Sequence, residues 1–188
     1  MRVIAGQFRS RRLRALRGAD TRPTSDRLRE TLFDVLAALR PDAIADSVWL
    51  DLYAGTGAVG IEALSRGART VYFVESSPPA ASLIRENLEA LGITDRFEVH
   101  GREVLRSLRL LDSSAVACDF CFLDPPWRMH VAYEEALGFL SQSRLLSASS
   151  VVIAEHEKRF DPGERLGALN RTRKLEQGDA ALSFYRLG

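Results

Sequence analysis

Hydrophobic positions recur along most of this chain as short apolar runs alternating with helical stripes. Val48–Tyr53, Thr70–Glu75, Phe97–His100, Asp119–Leu123 and Ser150–Glu155 read as strands. Between them lie helices: one from about Gly57 to Gly67, one capped by Ser77 with Pro78 and Pro79 in its first turn and Gly92 past its end, then Glu103–Leu110 and Val131–Leu140. An earlier helix carries Leu28, Leu32, Val35, Leu36 and Leu39 at helical spacing, starts at Ser25 or Asp26 and runs up to Pro41. Two further strands near Thr172–Leu175 and Ala180–Leu187 would close the sheet, the last pair antiparallel. Strand-helix repetition of this kind predicts an α/β fold with a doubly wound, Rossmann-like, mostly parallel sheet. Residues 1–20 differ: Val3, Ile4, Phe8, Leu13 and Leu16 are spaced among arginines and suggest a small N-terminal β-hairpin or arm ahead of a domain spanning 21–188.

Composition adds the charge of that arm. The 188 residues carry a formal net charge of only +1. Yet the first thirty hold nine arginines against Asp20, Asp26 and Glu30, so the rest is mildly acidic. A basic arm on an acidic body points to an anionic polymer, with Arg9, Arg11, Arg12, Arg22, Arg27 and Arg29 as candidate phosphate contacts. Arg22 and Thr24, in a rigid Arg-Pro-Thr turn, could instead buttress a pocket. No apolar run is long enough for a membrane span and no apolar signal core follows the first arginines, so a cytoplasmic location without a membrane is expected. Cys118 and Cys121 satisfy C-x-x-C, but lie at a strand rather than a helix N-terminus and read as ordinary buried thiols. His100, His130 and His156 lack metal-ligand spacing, and no metal is expected.

Two motifs carry chemistry. Asp51-Leu52-Tyr53-Ala54-Gly55-Thr56-Gly57-Ala58-Val59-Gly60 is a strand-to-helix turn satisfying G-x-G-x-x-G, and Glu75, followed by Ser76, stands twenty residues beyond Gly55. Any adenosine cofactor needs a glycine turn for close approach and an acid for the ribose hydroxyls. Asp51 adds negative charge where a pyrophosphate would lie, which opposes a nicotinamide oxidoreductase and favours the cationic ligand S-adenosylmethionine. An acid there also suits a turn cap. The second motif, Asp124-Pro125-Pro126-Trp127, ends the fourth strand. Its prolines stiffen the backbone. It is either a rigid turn with a core tryptophan or a ledge for a planar amine, which would donate to Asp124 and the Pro125 carbonyl while its ring lies on Trp127.

Together the motifs resemble the class I S-adenosylmethionine-dependent methyltransferases that modify exocyclic or amide nitrogens, whose signature is [Asp/Asn/Ser]-Pro-Pro-[Tyr/Phe/Trp]. More closely, the chain is similar to the RsmD family of bacterial 16S rRNA guanine-N2 methyltransferases. The resemblance runs through Arg2–Arg9, Arg22–Arg27, Arg29–Phe33, Asp51–Gly57, Gly60–Gly67 and Asp124–Trp127. It implies methyl transfer to guanine 966 of 16S rRNA, within the small ribosomal subunit, by a monomer. Asp124, Pro125, Pro126 and Trp127 would be the catalytic residues. Asp51, Tyr53, Ala54, Gly55, Thr56, Gly57, Glu75 and Ser76 would hold the cofactor, with Glu103 facing adenine where relatives place Asp or Asn. Adenine N6 in DNA and a glutamine amide are the alternative acceptors.

Overall fold

In the computed structural model, which describes residues 1–15, 24–39 and 42–188, helix α1 (Asp26–Leu39) opens the alternating units. The Ser25 hydroxyl accepts the Leu28 amide at 3.1 Å, satisfying a donor that the first helical turn leaves open. There follow β1 (Val48–Leu52), α2 (Ala58–Ser65), β2 (Thr70–Val74), α3 (Pro78–Ala90) and β3 (Phe97–His100). Next come α4 (Val104–Ser113), β4 (Cys118–Leu123), α5 (His130–Leu140) and β5 (Leu146–Glu157). The chain closes with β6 (Arg165–Leu166), β7 (Leu169–Gln177) and β8 (Ala180–Leu187).

These strands form one eight-stranded sheet in the order β3-β2-β1-β4-β5-β8-β7-β6. The first five are parallel and the remaining pairings antiparallel. Helices α1, α2 and α3 bury one face and α4 and α5 the other, so the doubly wound α/β architecture is as predicted. Parallel strands buried on both faces read as continuous apolar runs, which is why β1 and β4 stood out. Trp49 of β1 is fully buried between Phe33 of α1 and Phe120 of β4, with ring centroids 5.3 and 4.7 Å away, and its indole N–H donates to Ser47 at 2.8 Å. Strand order reverses between β1 and β4. Open α/β sheets bind ligands outside the carboxyl ends of the strands at such a point.

The N-terminal segment is an arm folded back on itself without regular strands. An antiparallel bridge joins Arg2 to Arg12, the Val3 amide donates to the Arg11 carbonyl at 2.9 Å and the Ser10 amide to the Val3 carbonyl at 2.8 Å. The segment is docked on α2. The buried Glu62 carboxylate accepts the Ile4 and Ala5 amides at 2.7 and 3.0 Å, and the Ser65 hydroxyl accepts the Phe8 amide at 2.9 Å. A methyl group on Gly6 would sit 1.9 Å from the Ser65 carbonyl oxygen, so only glycine permits this approach. Cys118 and Cys121 are free and buried, and burial pushes the Cys118 thiol up to about 12. A register irregularity between Cys118 and Phe120 puts both on the same core layer rather than on opposite faces.

Candidate active site

The turn after β1 is a sequence of left-handed residues. Tyr53, Gly55 and Gly57 have φ of 58°, 54° and 76°. The strain at Tyr53 is tolerated because its neighbours over-determine the turn. The Ala54 amide donates to the Val74 carbonyl at 3.0 Å, and the Gly57 amide to the Ala54 carbonyl at 2.7 Å. A methyl group on Gly60 would approach Phe73 to 2.3 Å, so this glycine serves helix-strand packing. At Gly55 the nearest atom to an added methyl is the Tyr53 carbonyl oxygen, 4.0 Å away. That face of the loop is open to a ligand.

Four carboxylates converge on this edge. Glu75, just past β2, accepts the Gly55 amide through one oxygen and the Ser77 amide through the other, both at 2.8 Å. Ser77 is the residue before α3, but its hydroxyl makes no capping bond. Asp51 is buried, and its Oδ2 accepts the Gly60 amide at 2.8 Å. The acid therefore holds the glycine turn from beneath, the turn-capping alternative. Burial first, then Glu75, pushes its carboxyl up to about 7, against the Gly60 bond. Asp124 follows β4, and its amide donates to the Leu52 carbonyl at 3.3 Å. Burial, then Glu155, then Asp51 raise its carboxyl well above the usual carboxylate range. Glu155 lies one strand over on β5, next to Asp124 in register, because Leu123 pairs with Ala154.

Nothing in the sequence singles out Glu155, but Thr24, which holds its carboxylate, is the residue of the Arg-Pro-Thr turn expected as an alternative pocket buttress. The Glu155 carboxylate accepts the Thr24 hydroxyl at 2.7 Å. Its backbone carbonyl accepts the hydroxyl of buried Tyr133 at 2.9 Å. The same hydroxyl lies 3.4 Å from the Pro125 carbonyl. A hydroxyl has one proton, and the shorter bond takes it, so the Pro125 carbonyl keeps acceptor capacity for another donor. Pro125 is buried, Pro126 exposed and Trp127 half-buried, the last lining a cavity of about 300 Å³ with Glu157, Lys158, Arg159 and Asp179.

The other predicted residues divide. Tyr53 is half-buried, and burial, Glu135 and Glu103 push its hydroxyl up to about 12, which places Glu103 within electrostatic reach of the turn. Glu103 itself is exposed immediately before α4, and Ser76 is exposed beside Glu75. The Thr56 carbonyl accepts the Asn87 side-chain amide at 3.0 Å. Arg9 and Arg27 are exposed and line one cavity of about 500 Å³ together with Arg2, Asp26 and Glu30. Arg11 and Arg12 are exposed, Arg11 donating to the Ala90 carbonyl at 3.0 Å, and Arg22 lies outside the described residues. Arg29 is a correction. It is fully buried, donates to Asp26 at 3.0 Å and to the Arg2 carbonyl, and lies 3.9 Å from Glu62, so it presents no surface to a phosphate. Among the described residues there is no cluster of metal-ligating side chains, and no helix is long and apolar enough to cross a membrane.

A family model described as "Conserved hypothetical protein 95" matches residues 1–186. The chain belongs to this family. It is the RsmD family of the resemblance. "Ribosomal RNA small subunit methyltransferase D" of Haemophilus influenzae is 36% identical over 159 residues, 84% of this chain and 79% of that protein. The protein of the same name from Escherichia coli strain K12 is 32% identical over 157 residues, 84% of this chain and 75% of its own. A hypothetical protein of Thermus thermophilus of known structure superposes with a TM-score of 0.82 at 29% identity, covering 98% of both chains.

Proposed function

We propose that this chain is an rRNA methyltransferase that transfers the methyl group of S-adenosylmethionine to the exocyclic N2 amine of a guanine in 16S rRNA. The observation that carries the reading is the adjacency, at the strand-order switch, of an open glycine turn with its acid Glu75 and a rigid Asp124-Pro125 acceptor pair. The names of the Haemophilus and Escherichia relatives support rRNA of the small subunit as the acceptor. The family resemblance supports guanine N2 and position 966.

The residues present fit the cofactor. Gly55 leaves room for close approach, Glu75 keeps lone pairs for ribose hydroxyls, and the neighbouring carboxyls of Asp51, Asp124 and Glu155, whose mutual repulsion a cation relieves and an anion worsens, suit a sulfonium better than a pyrophosphate. When bound, S-adenosylmethionine supplies an electrophilic methyl on a positively charged sulfur. A cation beside Asp124 favours its ionised form. Ionised Asp124 and the Pro125 carbonyl then accept the two hydrogens of the guanine amine and turn its lone pair out of conjugation with the ring. Orientation and preorganised acceptors around developing positive charge lower the barrier. Trp127 stacks on the base, an interaction worth about 1–3 kcal/mol. The proton lost from nitrogen goes to Asp124 or to water.

Tritiated methyl transfer tests the reading on small ribosomal subunits, naked 16S rRNA and DNA, followed by nucleoside analysis. N2-methylguanosine from either RNA substrate is the expected product. N6-methyladenine in DNA, or label only in protein, would replace this acceptor with another.

A further inference from the structure

Beyond the Asp124–Trp127 turn stands an aromatic surface that the proposed chemistry does not use. His130, the first residue of α5, stacks on Phe160 in the loop after β5, with centroids 4.0 Å apart and planes 7° from parallel. Phe160 is held in turn by the buried rings of Tyr133 and His156, at 5.1 and 6.2 Å. The stack is therefore founded on the core. His130 is exposed and has one ring face against Phe160, so its opposite face meets solvent.

Met129 and Val131 flank it at 51% and 61% exposure, two of only three large apolar side chains left this open among the described residues. Grouped open apolar side chains mark interaction sites. Arg128 and Arg159 border the patch, both exposed, and among the described residues neither joins an ion pair. Lys158 beside them, by contrast, is paired with Glu176 at 2.9 Å. Flat rings, exposed aliphatics and two uncommitted guanidinium groups match the two things every nucleotide presents, a base face and a phosphate.

Resting on the proposed action on rRNA, we infer that this surface seats the single-stranded nucleotide adjoining the target guanine: its base lies on the open face of His130 and its flanking phosphates meet Arg128 and Arg159. The surface is continuous with the proposed base pocket, because Arg159 lines the same cavity as Trp127. Thr24, just ahead of α1 and three residues from Arg27, bonds to Glu155 beside Asp124. The RNA thus crosses the carboxyl edge of the sheet, from the cavity of Arg9 and Arg27 to Arg128 and Arg159, with the target between.

The test compares wild type with His130→Ala, His130→Tyr and the Arg128→Ala/Arg159→Ala double variant. Binding to a 16S rRNA transcript is followed over a salt series, and to single-stranded oligoribonucleotides containing 2-aminopurine by fluorescence quenching. Affinity for S-adenosylmethionine and the circular dichroism spectrum report that each variant is folded. His130→Ala should bind about tenfold more weakly and lose quenching. His130→Tyr should restore both. The double variant should lower the slope of log affinity against log salt by about 1.4. Variants that match wild type in affinity, quenching and slope, while wild type methylates rRNA, overturn the inference alone. So does loss of methylation on small subunits with naked-rRNA binding intact, which would assign the surface to a ribosomal protein. Wild type that neither binds nor methylates rRNA would overturn the proposed function itself.

Discussion

The Glu75 carboxylate bridges the Gly55 amide, twenty residues earlier, and the Ser77 amide, each at 2.8 Å. One side chain thereby fixes the glycine turn to the start of α3 and positions its remaining lone pairs over the open face of Gly55. Glu75→Ala removes the proposed ribose acceptor and frees the turn, and hydrogen bonds to a charged group are worth roughly 1.5–3 kcal/mol each. Calorimetry should show S-adenosylmethionine affinity falling by at least about tenfold, with a smaller loss for Glu75→Gln. An unchanged dissociation constant would remove Glu75 from the site.

Asp124→Ala should abolish methyl transfer while weakening cofactor affinity far less, the affinity loss being only the pull of the Asp124 carboxylate on the sulfonium. Losing a preorganised group of this kind costs about 10²–10³ in kcat. Asp124→Asn keeps an acceptor oxygen and should retain more activity than the alanine variant. Single-turnover rates at saturating cofactor measure both.

Asp51 links the site to pH. Its folded-state carboxyl is raised from 3.8 to about 7. The folded chain therefore binds a proton that the unfolded chain has released, and this contribution to stability is full below about pH 4 and lost as the pH rises through about 7. Asp51→Asn keeps an acceptor for the Gly60 amide but cannot titrate. Its thermal midpoint should fall less steeply between about pH 4 and 7 than that of wild type, the remaining slope coming from Asp124. Parallel curves would refute the assignment.

Arg29 should matter for folding and not for RNA. Burial lowers its basicity against the opposing pull of Glu62 and Asp26, and two of its nitrogens have no hydrogen-bond partner. Removing one partner of a buried ion pair costs about 3–5 kcal/mol. Urea unfolding of Arg29→Ala should show a loss of that order, softened because Arg66 still pairs with Glu62 at 2.7 Å. The salt dependence of rRNA binding should be that of wild type, whereas Arg27→Ala should lower the slope by about 0.7.

Gly6→Ala tests how the N-terminal segment is fastened. The position has φ of 78° and no room beside Ser65. Hydrogen exchange of the Ile4, Ala5 and Phe8 amides should speed up in the variant, while amides of β1 and β4 remain protected. Equal exchange throughout would mean that this close approach is not what holds the segment.

The glycine spacing, Glu75 and the Asp-Pro-Pro-Trp turn were legible because each is a local pattern placed by a strand end. Arg29 was misread although the signal was present: it stands three, four and seven residues from Leu32, Phe33 and Leu36, on the apolar stripe of α1. Its charge was taken as its address. Tyr133 and Glu155 have no local signature, since Glu155 nears Asp124 only when β5 lies beside β4 and Tyr133 reaches it from α5, whereas Thr24 stood out through its Arg-Pro-Thr turn. The first residues of β5 were hidden by the polar run Ser147–Ser150, and β6 by its two-residue length. The apolar positions of the N-terminal arm show that it must dock, and Val3 and Leu13 do join the core. What fastens its backbone is Glu62, 58 and 57 residues beyond Ile4 and Ala5, and no periodicity announces a side chain that binds backbone.

Asn87 of α3 is buried, its carbonyl oxygen accepting the Arg14 amide at 2.8 Å and its amide nitrogen donating to the carbonyls of Arg14 at 3.2 Å and Thr56 at 3.0 Å. A single amide thus clasps the glycine turn with one hand and the arginine-bearing segment with the other. The basic segment and the rim of the glycine turn are therefore spliced at one joint, so that under the proposed function an RNA drawing on the first would draw on the second.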